Sequence, residues 1–285
     1  MKKFICATLM LTISVATFAQ DGVVKKARTK MEQAQDLVAK ADRNENEEQK
    51  LQELIASTLE MIEPTLTSPE TKKQLASAWD VKANLTLFKI NAFVSKLQAH
   101  EAVDEQAFHD LVIQALNAIE ECYKVELANG TIERNKKNSD IVCYSVRNKL
   151  FAINCRQYIA YCGQQFFTKE AYSKAEECFT TWMEFSKNYT IVADETSLDN
   201  DQNAPQMAFF TCLCAYYAKN FATIGQYIDL AKQYEEQKSQ VVQLQLASYL
   251  EQGDTVAWLE AGAKAVIEDP DANEGTAQNI DRKSV

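Results

Sequence analysis

From Val24 onward, apolar residues recur at helical intervals: Ala27, Met31, Ala34 and Val38 come first, and Leu51, Ile55, Leu59 and Ile62 repeat the spacing. Steps of three and four put such side chains on one face of an α-helix, whereas a half-buried strand alternates every second residue. The pattern predicts a first helix pair, stopped by Pro64. Ser68-Pro69-Glu70 predicts the next start. It combines a capping hydroxyl, a proline where no amide hydrogen is needed, and an acid at the positive end of the helix dipole. No breaker follows before about residue 98, so one long helix is expected, carrying Leu75, Trp79, Phe88 and Phe93 inward. Asp104 caps a further helix with the stripe Phe108, Leu111, Ala115, Ile119 and Cys122, ending near Asn129-Gly130.

The polar stretch from Gly130 to Asp140 reads as a solvated loop. Beyond it the pattern predicts paired helices at about 140–167 and 169–187, then a long acidic loop from Asn188 to Asn203. Pro205 opens a helix with Met207, Phe210, Cys214 and Tyr217 inward, and its partner carries Phe221, Ile224, Ile228 and Ala231. The last pair spans about 239–251 and 255–267. With only 7 Gly and 4 Pro in 285 residues, tight strand hairpins have little to build with, so the class is all-α.

The corner of the last pair has specific chemistry. Gly253 can take the left-handed geometry that ends a helix, and Asp254 or Thr255 can accept from the free amides of the next one. Ala261, Gly262 and Ala265 allow close approach, and Pro270 prevents continuation. In order and spacing, Tyr249, Gly253-Asp254, Ala261, Ala265 and Pro270 resemble a tetratricopeptide repeat. Gly163, Phe166, Tyr172, Ala175 and Phe179 form a second, partial copy, with Trp182 where a small residue is usual. Ala215, Phe221, Ile224, Ile228 and Ala231 form a weaker third.

The resemblance implies a TPR-like α-solenoid of stacked antiparallel helix pairs. It is clearest over 140–270, with elongated, irregular hairpins over 20–130 and a tail over 271–285. It also implies a non-catalytic scaffold that holds a protein or peptide in a groove lined by first-helix residues. On the 140–167 helix these are Arg147, Asn154, Gln157, Tyr158 and Tyr161, with the core as the alternative place for the two tyrosines. Outer-membrane sugar-binding proteins also use tetratricopeptide helices, so glycan binding is the second functional class. Aromatic side chains exposed at hairpin tips would favour it.

The first residues add a location. Lys2 and Lys3 precede an uncharged, mostly apolar run from Phe4 to Phe18, and Thr17-Phe18-Ala19 suits a signal peptidase. Residues 1–19 are therefore expected to be a cleaved export signal, giving a periplasmic or outer-membrane-associated protein with no transmembrane helix. Cleavage leaves 28 basic against 40 acidic side chains, a balance that repels nucleic acid and anionic lipid.

Reactive chemistry is sparse. His100 and His109 lack zinc spacing and read as surface residues. Asp199, Asp201 and Asn203, and again Asp269, Asp271 and Asn273, alternate like calcium ligands but lack the closing acid, so both strings read as solvated loops and no metal or cofactor is expected. Seven cysteines follow the signal: Cys122, Cys143, Cys155, Cys162, Cys178, Cys212 and Cys214. Phe151, Cys155, Ile159, Cys162 and Phe166 share one helical stripe, so buried free thiols are the expectation, with one or two disulfides as the alternative. At the C-terminus two outcomes stay open. The last pair exposes an apolar face for self-association or partner docking, or the tail folds back over it.

Overall fold

The computed structural model describes residues 22–40, 42–68, 74–128, 144–185, 201–271 and 273–283. The export-signal run, Pro69-Glu70, the 130–140 loop, Cys143 and nearly all of the acidic loop lie outside them. Among the described residues there are eleven α-helices and no strand, each helix packing on its neighbours in sequence. They are α1 (22–38), α2 (Glu45–Leu66), α3 (Leu75–Gln98), α4 (Glu105–Ala128), α5 (Tyr144–Thr168), α6 (Tyr172–Phe185), α7 (Ala204–Tyr217), α8 (Phe221–Ala231), α9 (Lys238–Gln252), α10 (Thr255–Glu268) and α11 (Glu274–Lys283). None is long and apolar enough to cross a membrane. The chain divides into two compact units, with the change at Tyr158/Ile159 inside α5.

In the first unit, α1 lays Val24, Ala27, Met31, Ala34 and Leu37 against Leu51, Ile55, Ile62 and Leu66 of α2 and Ala78, Val81 and Leu85 of α3. Asn44 starts α2 with a reciprocal cap, accepting from the Glu47 amide at 3.0 Å while the Glu47 carboxylate accepts from the Asn44 amide at 3.2 Å. Pro64 does not stop α2, which continues to Leu66. The Thr65 hydroxyl donates to the Ile62 carbonyl at 2.6 Å, within the last turn. The α4 stripe Phe108, Leu111, Ala115, Ile119 and Cys122 is buried throughout, as its spacing predicts. On α3 the deepest residues are instead Ala78, Val81, Ala83, Leu85 and Ile90, while Trp79, Phe88 and Phe93 are half-buried. Phe93 stacks on Phe108 at 5.5 Å between centroids.

The second unit runs from Ile159 through α11. Gly163 brings α5 onto α6 so closely that a Cβ there would lie 2.7 Å from the Phe179 ring and 3.1 Å from Cys178 Cβ. Trp182, Met183 and Ala175 are buried beside this seat. On α7 the inward set is Ala204, Ala208, Phe209, Thr211, Cys212, Cys214 and Ala215, not Met207, Phe210 and Tyr217. This helix packs against α6, α8 and α9, and it is apolar nearly all round, so no single stripe marks its core side.

The corner foreseen at Gly253 is present. Gly253 has φ 71°, the Asp254 amide donates to the Tyr249 carbonyl at 2.9 Å, and the Asp254 side chain accepts from the Ala257 amide at 3.0 Å. The same closure recurs where no glycine stands. Glu101, Ala171 and Asn220 donate to the carbonyls of Lys96, Phe166 and Ala215, with His100, Glu170 and Lys219 at positive φ. Lys219 and Gly253 lie 34 residues apart.

The C-terminal tail takes the second of its two expected courses. It forms α11 and lies over α10, so that a Cβ on Gly262 would meet Thr276 at 3.1 Å and Ile280 at 3.2 Å. Asn273 ties the joint. Its amide nitrogen donates to the carbonyls of Ala265 and Asp269, and its oxygen accepts from Gln243 of α9 at 3.1 Å. Val256 and Ile267 of α10 remain exposed.

Candidate functional site

Within the first unit, the N-terminal part of α5 is held by a buried carboxylate. Asp80 on α3 is 1% exposed. Its Oδ2 accepts from the Arg28 guanidinium of α1 at 2.8 Å, and its Oδ1 accepts from Asn148 at 2.7 Å and Asn84 at 3.1 Å. Arg28 also donates to the Ser77 hydroxyl at 2.9 Å. The Tyr144 ring centroid lies 4.7 Å from the Arg28 guanidinium and 4.9 Å from that of Arg147, while the Tyr144 amide donates to buried Glu126 of α4 at 2.7 Å. Charge removed from water needs this density of partners. The result fixes the rotation of α5 about its axis.

That rotation decides what α5 shows to solvent. Ala152, Cys155 and Arg156 face inward. Arg147, with a side chain 64% exposed, and exposed Asn154 and Gln157 face outward. Tyr158 is half-buried. Its ring leans on Phe108 at 5.6 Å, and burial, then the nearby Cys155, pushes its hydroxyl pKa up. Tyr161, also half-buried, belongs to the second unit. Between the polar residues stand Leu150, 72% exposed, and Phe151, 44% exposed. Phe151 was expected inside with Cys155, Ile159, Cys162 and Phe166. Those four are buried, but Phe151 lies at the border of that stripe and turns outward. Leu150 carried no signal beyond its place three residues after Arg147, on the same face.

Other candidates resolve differently. His109 is buried, not a surface residue: Nδ1 lies 3.3 Å from an Asp110 carboxylate oxygen and Nε2 meets no polar partner. Asp199 lies outside the described residues. Asp201 accepts from the Asn203 amide and side chain, and Asn273 is committed to the α10–α11 joint. No cluster of three potential metal ligands occurs among the described residues. The six described cysteines are free and buried. Desolvation pushes the thiols of Cys155, Cys212 and Cys214 up to about 12, so near neutral pH they are protonated and weakly nucleophilic.

The second unit offers two surface features. At the hairpin tips, Tyr172 and Tyr217 stack at 4.5 Å with 24° between planes; Tyr217 is half exposed, and Phe167 meets Tyr172 edge-on at 5.7 Å. Separately, a trough of about 520 Å³ lies along α9 between α10 and the end of α8.

No family model matches the chain, and comparison with curated proteins and with solved structures gave no match.

Proposed function

We propose that this is a non-catalytic, tetratricopeptide-like scaffold of the cell envelope, an α-solenoid of antiparallel helix pairs that binds a protein or peptide through the outward face of α5. One observation carries the reading: Leu150 and Phe151 stand exposed at the centre of a face rimmed by Arg147, Asn154 and Gln157. An apolar centre with a polar rim is the anatomy of a docking surface. The buried network at Asp80 would hold it rigid, lowering the entropy lost on binding. The repeated helix closures at Glu170, Lys219 and Gly253, and the close seats at Gly163 and Gly262, support the repeat reading. The apolar run before Ala19 supports export.

The test places a photo-crosslinking residue at Leu150 and identifies what is captured from envelope extracts. The partner so identified should lose at least about tenfold in affinity when Leu150 and Phe151 are both replaced by serine, with the helical spectrum unchanged. Unchanged affinity for that partner, or no crosslinked partner at all, overturns the reading.

Glycan binding is kept as a second reading for one reason. The Tyr172–Tyr217 pair puts a half-exposed aromatic face at a hairpin tip, where a sugar ring can stack. Titration calorimetry with an oligosaccharide panel should give binding that Tyr217→Ala removes. If no oligosaccharide binds, this reading ends while the first stands.

A further inference from the structure

The trough on α9 is built for a helix. Its floor is small and apolar, made by Val242 of α9 and by Ala261 and Ala265 one turn apart on α10. Its α10 wall carries Glu260, Lys264 and Glu268, spaced four residues apart and so about 6 Å per step along the axis. The opposite wall carries Lys232, Glu235 and Lys238. One wall therefore reads minus, plus, minus, and the other plus, minus, plus.

These charges are weakly engaged within the chain. Lys264 lies 3.9 Å from Glu268, and Lys232 pairs with Asp229 at 2.9 Å, both on the surface. Exposed pairs of this kind contribute little to stability and are easily exchanged. The trough is not the place of the tail, because Thr276 and Ile280 of α11 seat over Gly262.

We propose that this trough receives an amphipathic helix of a partner protein, about two to three turns long. The helix carries small or branched apolar residues along its seat and lysine, acid, lysine along the flank that faces α10. Charge complementarity names the flanks, since like charges set opposite one another are strongly rejected. The floor names the secondary structure. The floor lies on α9 and α10, helices that keep their own amides and carbonyls bonded internally, so an extended peptide over it would leave main-chain groups unmatched, whereas a helix satisfies its own. Each wall reads the same in both directions, so charge fixes which helix docks and leaves its polarity open. This site is separate from the α5 face and stands or falls without it.

The experiment uses the full chain and fluorescence anisotropy with three synthetic peptides: one with the matching charge order, one with every flank charge inverted, and one matching but broken by a central proline. The matching peptide should bind at least about tenfold tighter than either of the others. The triple variant Glu260→Lys, Lys264→Glu, Glu268→Lys, shown by circular dichroism to be folded, should prefer the inverted peptide. Val242→Arg should abolish binding, and Leu150→Ser should leave it unchanged. Three results overturn the proposal: no binding by any peptide, equal binding by the broken one, or a preference that the triple variant fails to invert. Loss of binding in Leu150→Ser would assign the peptide to α5 instead.

Discussion

The two units hold their helices together by different means. In the first, polar ties between distant helices add to the apolar core: Asp80 gathers Arg28, Asn84 and Asn148 from three helices, and Glu126 holds the start of α5. In the second, the ties are mostly rings and missing side chains. Phe179 packs on Gly163 and stacks with Phe210 at 5.8 Å, and Gly262 admits Thr276 and Ile280. Polar ties there sit near corners, where Asn220 and Thr223 donate to one oxygen of buried Glu176. Close seats at glycine bring backbones together at any matching position and so suit a repeating unit. A buried carboxylate demands particular donors at particular places, so it specifies one arrangement. The longer, less periodic helices of the first unit accord with that demand.

Substitutions can break or sharpen the contrast. The largest expected loss is in the second unit: Trp182→Ala removes an indole that is almost fully buried and should cost about 3–5 kcal/mol in urea or thermal denaturation. Asp80→Ala should cost about 3 kcal/mol, because it strands Arg28 and Asn148. Asp80→Asn, which keeps the shape, should lose less. If Asp80→Ala proves neutral, the polar ties are ornamental and the contrast fails. Gly163→Ala should destabilise by about 1–3 kcal/mol, since its Cβ meets the Phe179 ring. Gly225→Ala, where nothing lies within 4 Å, should stabilise by about 0.5–1 kcal/mol. Equal effects at the two glycines would refute the close-seat account. The smallest effect expected is at Lys219→Gly, a gain of under about 1 kcal/mol, as release of the left-handed strain is partly offset by losing the exposed pair with Glu251.

Helix positions were largely legible in the sequence. The last pair, expected at 239–251 and 255–267, lies at Lys238–Gln252 and Thr255–Glu268. The α4 stripe was legible because α4 has one polar side. On α7, with three helical neighbours, burial depends on where those neighbours lie, and periodicity carries no trace of that. The recurring corner was legible only at Gly253; at Glu170 and Lys219 the same backbone is imposed on residues that do not advertise it. For the candidate site, Arg147, Asn154 and Gln157, named from the resemblance, are exposed on α5. The neighbouring Leu150 and Phe151 were concealed, since an apolar residue on a helix is read as core unless something fixes the rotation of that helix. What fixes it is Asp80, distant in sequence and unremarkable among the chain's many acids.

One carboxamide bears a disproportionate part of the fold. With its nitrogen facing two carbonyls and its oxygen facing Gln243, Asn273 is held in one orientation, and an aspartate of the same outline would set lone pair against lone pair. An Asn273→Asp exchange, differing by a single atom, would thus be expected to unlatch α11 from α10.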